Sequence, residues 1–184
     1  MKKILAGQAI LILCCAVYLV WWYRGYRPGM SVNRLGGLNG VLLRITVGLG
    51  IAGLVLSLWR IEAKRAFVLS PGLIAAAGIA AYFALLLLTR YAFGRIVTTE
   101  LLLIVGWTTL ENSVLSRLYA AEALSGRGFA FLCAVIGAAF VLSMVLYVAY
   151  YRMEAMKAFY AAMIPLLTEA AAMAVLCGTV VLHG

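Results

Sequence analysis

The chain has 184 residues, 66% of them hydrophobic and only 11% charged, with a mean hydropathy of +1.08. Soluble domains carry about 25% charged residues, so this composition excludes an ordinary water-soluble fold and makes a bilayer the solvent. The net charge of +9 is scattered over short segments between apolar runs, which excludes a nucleic-acid-binding face and fits membrane flanks bordering anionic lipid.

The first apolar run, Ile4 to Tyr23, follows Met1-Lys2-Lys3. It is long for a signal peptide and ends in Trp21-Trp22-Tyr23 rather than in small residues, so it reads as an uncleaved first span with an aromatic belt at the headgroup level. Arg24 to Gly40, with Pro28 and Gly36-Gly37, reads as the longest loop. The second span is expected at Val41 to Trp59 and the third at Leu73 to Leu88. The fourth, Leu101 to Leu124, is the most polar. The fifth, Phe129 to Tyr151, closes on Tyr147, Tyr150 and Tyr151, which read as a second belt. The sixth is expected at Phe159 to Leu182. No linker long enough to separate soluble domains interrupts them.

Arg60-Ile-Glu-Ala-Lys-Arg-Ala-Phe67 returns, 92 residues later, as Arg152-Met-Glu-Ala-Met-Lys-Ala-Phe159. Proline follows in both places, Pro71 and Pro165, and then a run of small residues, Ala75 to Gly78 and Ala170 to Ala172. The expected architecture is an all-α membrane protein of six transmembrane helices in one domain, with pseudo-repeats at about 1–92 and 93–184. Three spans per half make the second half enter from the opposite side, an arrangement that recurs among transporters. It also explains the flanking charges. Lys2, Lys3, Arg60, Lys64, Arg65 and Arg127 fall on one side, and Arg24, Arg27, Arg34, Arg90, Arg95, Arg152 and Lys157 on the other. So even a division orients a protein weakly.

All six acids are glutamates. Glu100, Glu111 and Glu122 are spaced eleven apart, about three helical turns, and therefore share one face of the fourth segment. The outer two are roughly 33 Å apart at ~1.5 Å per residue, so they read as solvated ends and Glu111 as the mid-membrane group. Thr108 and Asn112 lie beside it. Glu169, with Thr168, occupies the middle of the sixth segment. A carboxylate at the bilayer centre costs on the order of 3 kcal/mol on insertion scales, so such groups face the bundle interior and mark ion or proton pathways. Glu111, Glu169, Asn112, Thr108 and Thr168 are the candidate transport site, and Arg44 and Arg117 the candidate counter-charges. Buried structural pairing of the same glutamates is the competing reading.

Other motifs carry no chemistry. Gly48-Leu-Gly50-Ile-Ala-Gly53 has dinucleotide-loop spacing but lies within an apolar span, where small residues serve close helix approach. The only histidine is His183, so no histidine-based metal site or catalytic triad is expected. Cys14, Cys15, Cys133 and Cys177 read as small apolar fillers. No catalytic residues and no cofactor are expected. The expected partners are the lipid bilayer and other membrane proteins or further copies of the chain.

Thr108-Thr-Leu-Glu-Asn112 in the fourth segment, the Phe129–Arg152 span ending in a basic loop, and Phe159-x4-Ile164-x-Leu166-x-Thr168 closing at Gly178 resemble the six-span A/E (D/E) subunit family of the Rnf and Nqr redox-driven ion pumps. The likeness covers Glu100 to the C-terminus and, loosely, Arg27-Pro28 and Gly40. It implies electron transfer through an iron–sulfur centre between half-helices, coupled to Na⁺ or H⁺ movement. Where that family carries a cysteine after the asparagine, this chain has Ser113. The chain is also similar to small multi-pass proteins of Gram-positive bacteria, which implies no activity. Together these features give three expectations in a bacterial cytoplasmic (inner) membrane. The first is a transporter or ion-translocating protein, the second a redox-pump subunit that has lost its cluster, and the third a non-catalytic assembly protein.

Overall fold

A computed structural model describes residues 1–29, 36–94 and 98–183. They form α1 (Lys2–Tyr26), α2 (Gly37–Ser57), α3 (Pro71–Phe93), α4 (Thr98–Ala120), α5 (Gly126–Ala149), a 3₁₀ turn (Tyr150–Arg152), α6 (Ala155–Ala161) and α7 (Ile164–His183). Arg34 and Arg95, counted among the flanking charges, lie outside the described residues. Five helical stretches are long and apolar enough to cross a membrane: Lys2–Tyr26, Gly37–Ser57, Pro71–Phe93, Gly126–Arg152 and Ala155–Leu182. Their outer faces carry large apolar side chains such as Val47, Ile51, Ile79, Phe83, Val141 and Val145. A surface of this kind is stable against lipid and not against water.

The packing inverts the soluble pattern. α2 buries Asn39, Gly40, Thr46, Gly53 and Ser57 and turns its aliphatic residues outward. Helices in lipid gain little from burying leucine, so they join through small and hydrogen-bonding residues. A Cβ on Gly7 of α1 would run into the backbone nitrogen of Ser57, and one on Gly53 would meet Leu11 Cγ at 2.7 Å. Gly53 thus serves the close approach expected of the Gly48–Gly53 run. Gly78 makes the same kind of contact from α3, its face pressed against Thr109 of α4.

α4 lies at the centre. Its Val114, Leu115 and Leu118 join Ile4 of α1, Leu132 and Ile136 of α5 and Leu176 and Val180 of α7 in one core. Leu101, Ile104 and Val105 form a second core with Tyr147. Alone among the long helices, α4 falls short of the hydropathy of a membrane span. Its second half, from Glu111 to Ala120, is largely buried among its neighbours, whereas Leu102 and Leu103 are exposed; the buried half can hold polar side chains that lipid would reject.

α1 and α2 run antiparallel. Lys3 Nζ lies 3.7 Å from the Trp59 ring centroid, placing the start of α1 beside the end of α2. The connection 58–70 is stitched to the same end of α4. Arg117 Nη1 donates to Leu58 O at 2.6 Å, Ser116 Oγ to Leu69 O at 2.9 Å, and the Lys64 and Arg65 amides to Ala120 O. That stitching settles the first octet as non-helical loop, whereas the second octet enters α6 at Ala155. The repeated sequence therefore takes two local conformations.

Three expectations change in detail. The sixth segment is not one helix: Pro165 has no N–H to offer the Ala161 carbonyl, and the chain turns at 162–163 before α7 begins. The second belt is largely an inner wall, with Tyr147 buried and only Tyr151 well exposed. In the first belt Trp21 is also buried.

Glu122 falls beyond the end of α4. The Ala123 amide reaches Leu118 O and the Glu122 amide Tyr119 O, a Schellman end with Glu122 at φ 62° where glycine is usual. Its side chain binds Arg65 Nε at 2.8 Å in an exposed pair, which holds the guanidinium above its ordinary pKa. A non-glycine residue in this conformation costs about 1 kcal/mol or more, and exposed pairs contribute little. Glu122→Gly is therefore expected to raise the thermal midpoint in detergent. A lowered midpoint would show that the ion pair outweighs the backbone conformation.

Candidate functional site

Glu111 sits on the inner face of α4, 1% exposed, and Gln8 of α1 is fully enclosed opposite it. Gln8 Nε2 donates to Glu111 Oε1 at 3.1 Å and to Ser57 Oγ at 3.3 Å. The geometry follows from the glycine contact: Gly7 brings α1 against Ser57, and the next residue, Gln8, then reaches both Ser57 and Glu111. Two acceptors in this cluster, Gln8 Oε1 and Glu111 Oε2, are buried with no hydrogen-bond partner among the described residues. Orphaned acceptors in a buried site are costly unless a donor, a proton or a cation satisfies them.

Glu169 projects from α7, 4% exposed, into a cavity of about 70 Å³. Tyr18 and Trp22 of α1, Glu100 of α4, and Tyr147 and Tyr150 share the lining. Tyr150 donates its hydroxyl to Glu100 at 2.6 Å. Glu100 is thus part of an inner wall and not simply a solvated end. Glu169 lies within electrostatic reach of Glu111, as Cys15 does of both carboxylates and Cys177 of Glu111. In axial order the polar groups run from Glu100 and Tyr150 at one end through Glu169 and Glu111 to Gln8 and Ser57 near the other.

Both glutamates picked out by sequence therefore face one interior. The other candidates do not join them. Thr108 Oγ1 bonds Ile104 O, Asn112 Nδ2 bonds Thr108 O, and Thr168, half-buried, bonds Ile164 O. Each satisfies its own helix backbone, the usual outcome for such residues where no better partner is in range. Arg44 donates to Gly40 O and Arg117 to Leu58 O. Among the described residues no ion pair joins either arginine to Glu111 or Glu169, which leaves both carboxylates without a cationic partner.

Sequence reasoning missed Gln8 and Ser57. Gln8 was the available signal: an amide alone in the apolar first span needs a partner as surely as a carboxylate does. Ser57 carried none, since a serine at a helix end is common. The inward tyrosines were missed because a ring bound for an interface and one bound for a cavity look alike in sequence.

An iron–sulfur centre takes four cysteine ligands or a closely related set. Cys14 and Cys15 are on α1, Cys133 on α5 and Cys177 on α7, with Ser113 on α4. Among the described residues no three His, Cys, Asp or Glu side chains converge to hold a metal ion. Cys14 instead donates its thiol to Thr46 O at 3.2 Å. The residues present do not fit such a centre. Compared with known proteins, the chain matches no family model, and no curated protein or solved structure matches it.

Proposed function

We propose that this chain is a six-span transport protein of a bacterial cytoplasmic membrane, moving protons along a buried file that includes Glu169 and Glu111. The observation that carries the reading is the pair of interior carboxylates without a cationic partner, one beside a cavity and the other holding an orphaned oxygen. A structural carboxylate in a membrane bundle acquires an arginine, a lysine or a full set of donors. A carboxylate that must gain and lose a proton is left accessible and incompletely paired.

In this reading α4 crosses as the sixth span, shielded by the other helices, and α6 with α7 crosses as one broken unit. Half-helices of that kind line the sites of many transporters. The two inverted halves are part of the proposal. α1 packs on α7 and α3 packs on α4, one reciprocal pair of contacts that a two-fold axis in the membrane plane calls for. The iron–sulfur chemistry implied by the sequence resemblance takes no part in it.

The test is flux through purified protein in proteoliposomes containing a pH-sensitive dye, with potassium and valinomycin setting the potential. Wild type is expected to acidify or alkalise the lumen according to the gradient, and Glu169→Gln to fall to the leak of empty vesicles. Equal flux through wild type and Glu169→Gln would sink the proposal.

A further inference from the structure

The Glu169 cavity has a lining that proton movement alone does not require. Four aromatic rings, those of Tyr18, Trp22, Tyr147 and Tyr150, surround it together with the carboxylates of Glu100 and Glu169. Among the described residues, no lysine or arginine lines it. Aromatic faces carry negative charge density and attract cations, most strongly where water is excluded. A metal cation is a poor match: calcium takes six to eight oxygens and magnesium a near-ideal octahedron, whereas much of this wall is ring carbon and aliphatic side chain. An ammonium bearing carbon substituents suits it, because its charge is spread over methyl or methylene groups that rest on rings. Size agrees. One water needs roughly 10–15 Å³ on this measure, so about 70 Å³ admits a group several times larger than water.

We propose that the cavity binds the head group of a small organic cation, a substituted amine or quaternary ammonium, and that this cation competes with the proton for Glu169, so that it is carried in exchange for protons when present while the file conducts protons alone in its absence. The inference rests on the proton-carrying role given to Glu169 above. The charge balance is simple. Ionised Glu169 holds the monovalent cation, protonated Glu169 does not, and one proton replaces one cation on the same carboxylate. Glu100 accepts from Tyr150 and so holds that ring in the wall. Tyr18 contributes a ring from α1, and its replacement leaves both carboxylates and the Tyr150 bond in place.

The experiment is isothermal titration calorimetry of the whole purified protein in detergent with tetramethylammonium chloride. Potassium chloride serves as the ionic control, and tert-butanol as the neutral ligand of similar shape. Saturable binding of tetramethylammonium alone is expected. Glu169→Gln is expected to weaken it at least tenfold. Tyr18→Leu should weaken it about three- to tenfold, the range of one cation–π contact, with Tyr18→Phe restoring it. The wild-type comparison stands even if a variant fails to fold. Binding no tighter than that of potassium, or equal binding of tert-butanol, overturns the proposal. Failures separate cleanly. Proton flux without tetramethylammonium binding removes the substrate and leaves the proton file standing. Binding without flux, or without uptake of tetramethylammonium driven by a pH gradient, removes the exchange.

Discussion

Glu111→Gln protein is expected to fold as well as wild type and to conduct no protons. The amide keeps an oxygen where Glu111 Oε1 now accepts from Gln8 at 3.1 Å, so the link between α1 and α4 survives. It removes the group that can be charged in a nearly closed interior, and an uncharged side chain there is easier to bury. Loss of a proton-transferring group costs about 100-fold or more in rate, so flux should drop to vesicle leak while the thermal midpoint holds or rises. Gln8→Leu makes the opposite separation. It leaves Glu111 able to ionise but strips the donor from Glu111 Oε1 and Ser57 Oγ, at a cost of about 1–3 kcal/mol. A Glu111→Gln protein that loses stability and keeps its flux would identify Glu111 as a structural partner of Gln8 and nothing more.

Gly7→Ala is expected to destabilise the bundle by about 3 kcal/mol, at the upper end of overpacking costs. The added methyl meets the main chain of α2 at two points, the Ser57 nitrogen and, at 2.8 Å, the Gly53 carbonyl, with Ser57 Oγ at 2.6 Å. Main chain within a helix cannot step aside, so α1 and α2 must separate, and Gln8 then loses its reach to Ser57. Gly53→Ala is expected to cost less, about 1–2 kcal/mol, because its nearest obstacle is the Leu11 side chain at 2.7 and 2.8 Å, with main chain, the Gly7 oxygen, only at 3.2 Å. Gly48→Ala meets nothing within 4 Å and should stabilise its helix by roughly 0.5–1 kcal/mol. Thermal unfolding in detergent, followed by circular dichroism, ranks the three. Equal effects at Gly7 and Gly48 would show that the α1–α2 contact does not depend on glycine.

Long apolar runs were readable because a bilayer demands about 20 such residues per crossing, whatever the tertiary arrangement. The sequence-expected spans at Ile4–Tyr23, Val41–Trp59, Leu73–Leu88 and Phe129–Tyr151 each match an observed helix within a few residues. The break before α7 was half legible: Pro165 was visible, but whether it bends a helix or begins one depends on the turn at 162–163. Glu111 and Glu169 were readable because a carboxylate among leucines is conspicuous. Their hydrogen-bond partners were not. Thr108 and Asn112 looked like neighbours of Glu111 by sequence distance, yet they bond backward along α4, while Gln8, 103 residues away, supplies the amide. Glu122 was expected on the same helical face as Glu111, and periodicity could not show that the helix ends before it. The Schellman hydrogen bonds that stop α4 place no glycine in the sequence to announce them.

The marginal hydropathy of α4 has a consequence for how the protein is made. Domains and segments emerge from the ribosome N-terminus first, at about 5–20 residues per second. The α1–α2 hairpin therefore stands in the membrane before α4 is synthesised, with Gln8 and Ser57 already pressed together. α4, less apolar than the five candidate spans, then finds an amide waiting for its carboxylate and main-chain carbonyls waiting for Ser116 and Arg117. The nascent chain supplies its own receptor for its most difficult segment, and the order of the helices becomes part of the biogenesis of the site.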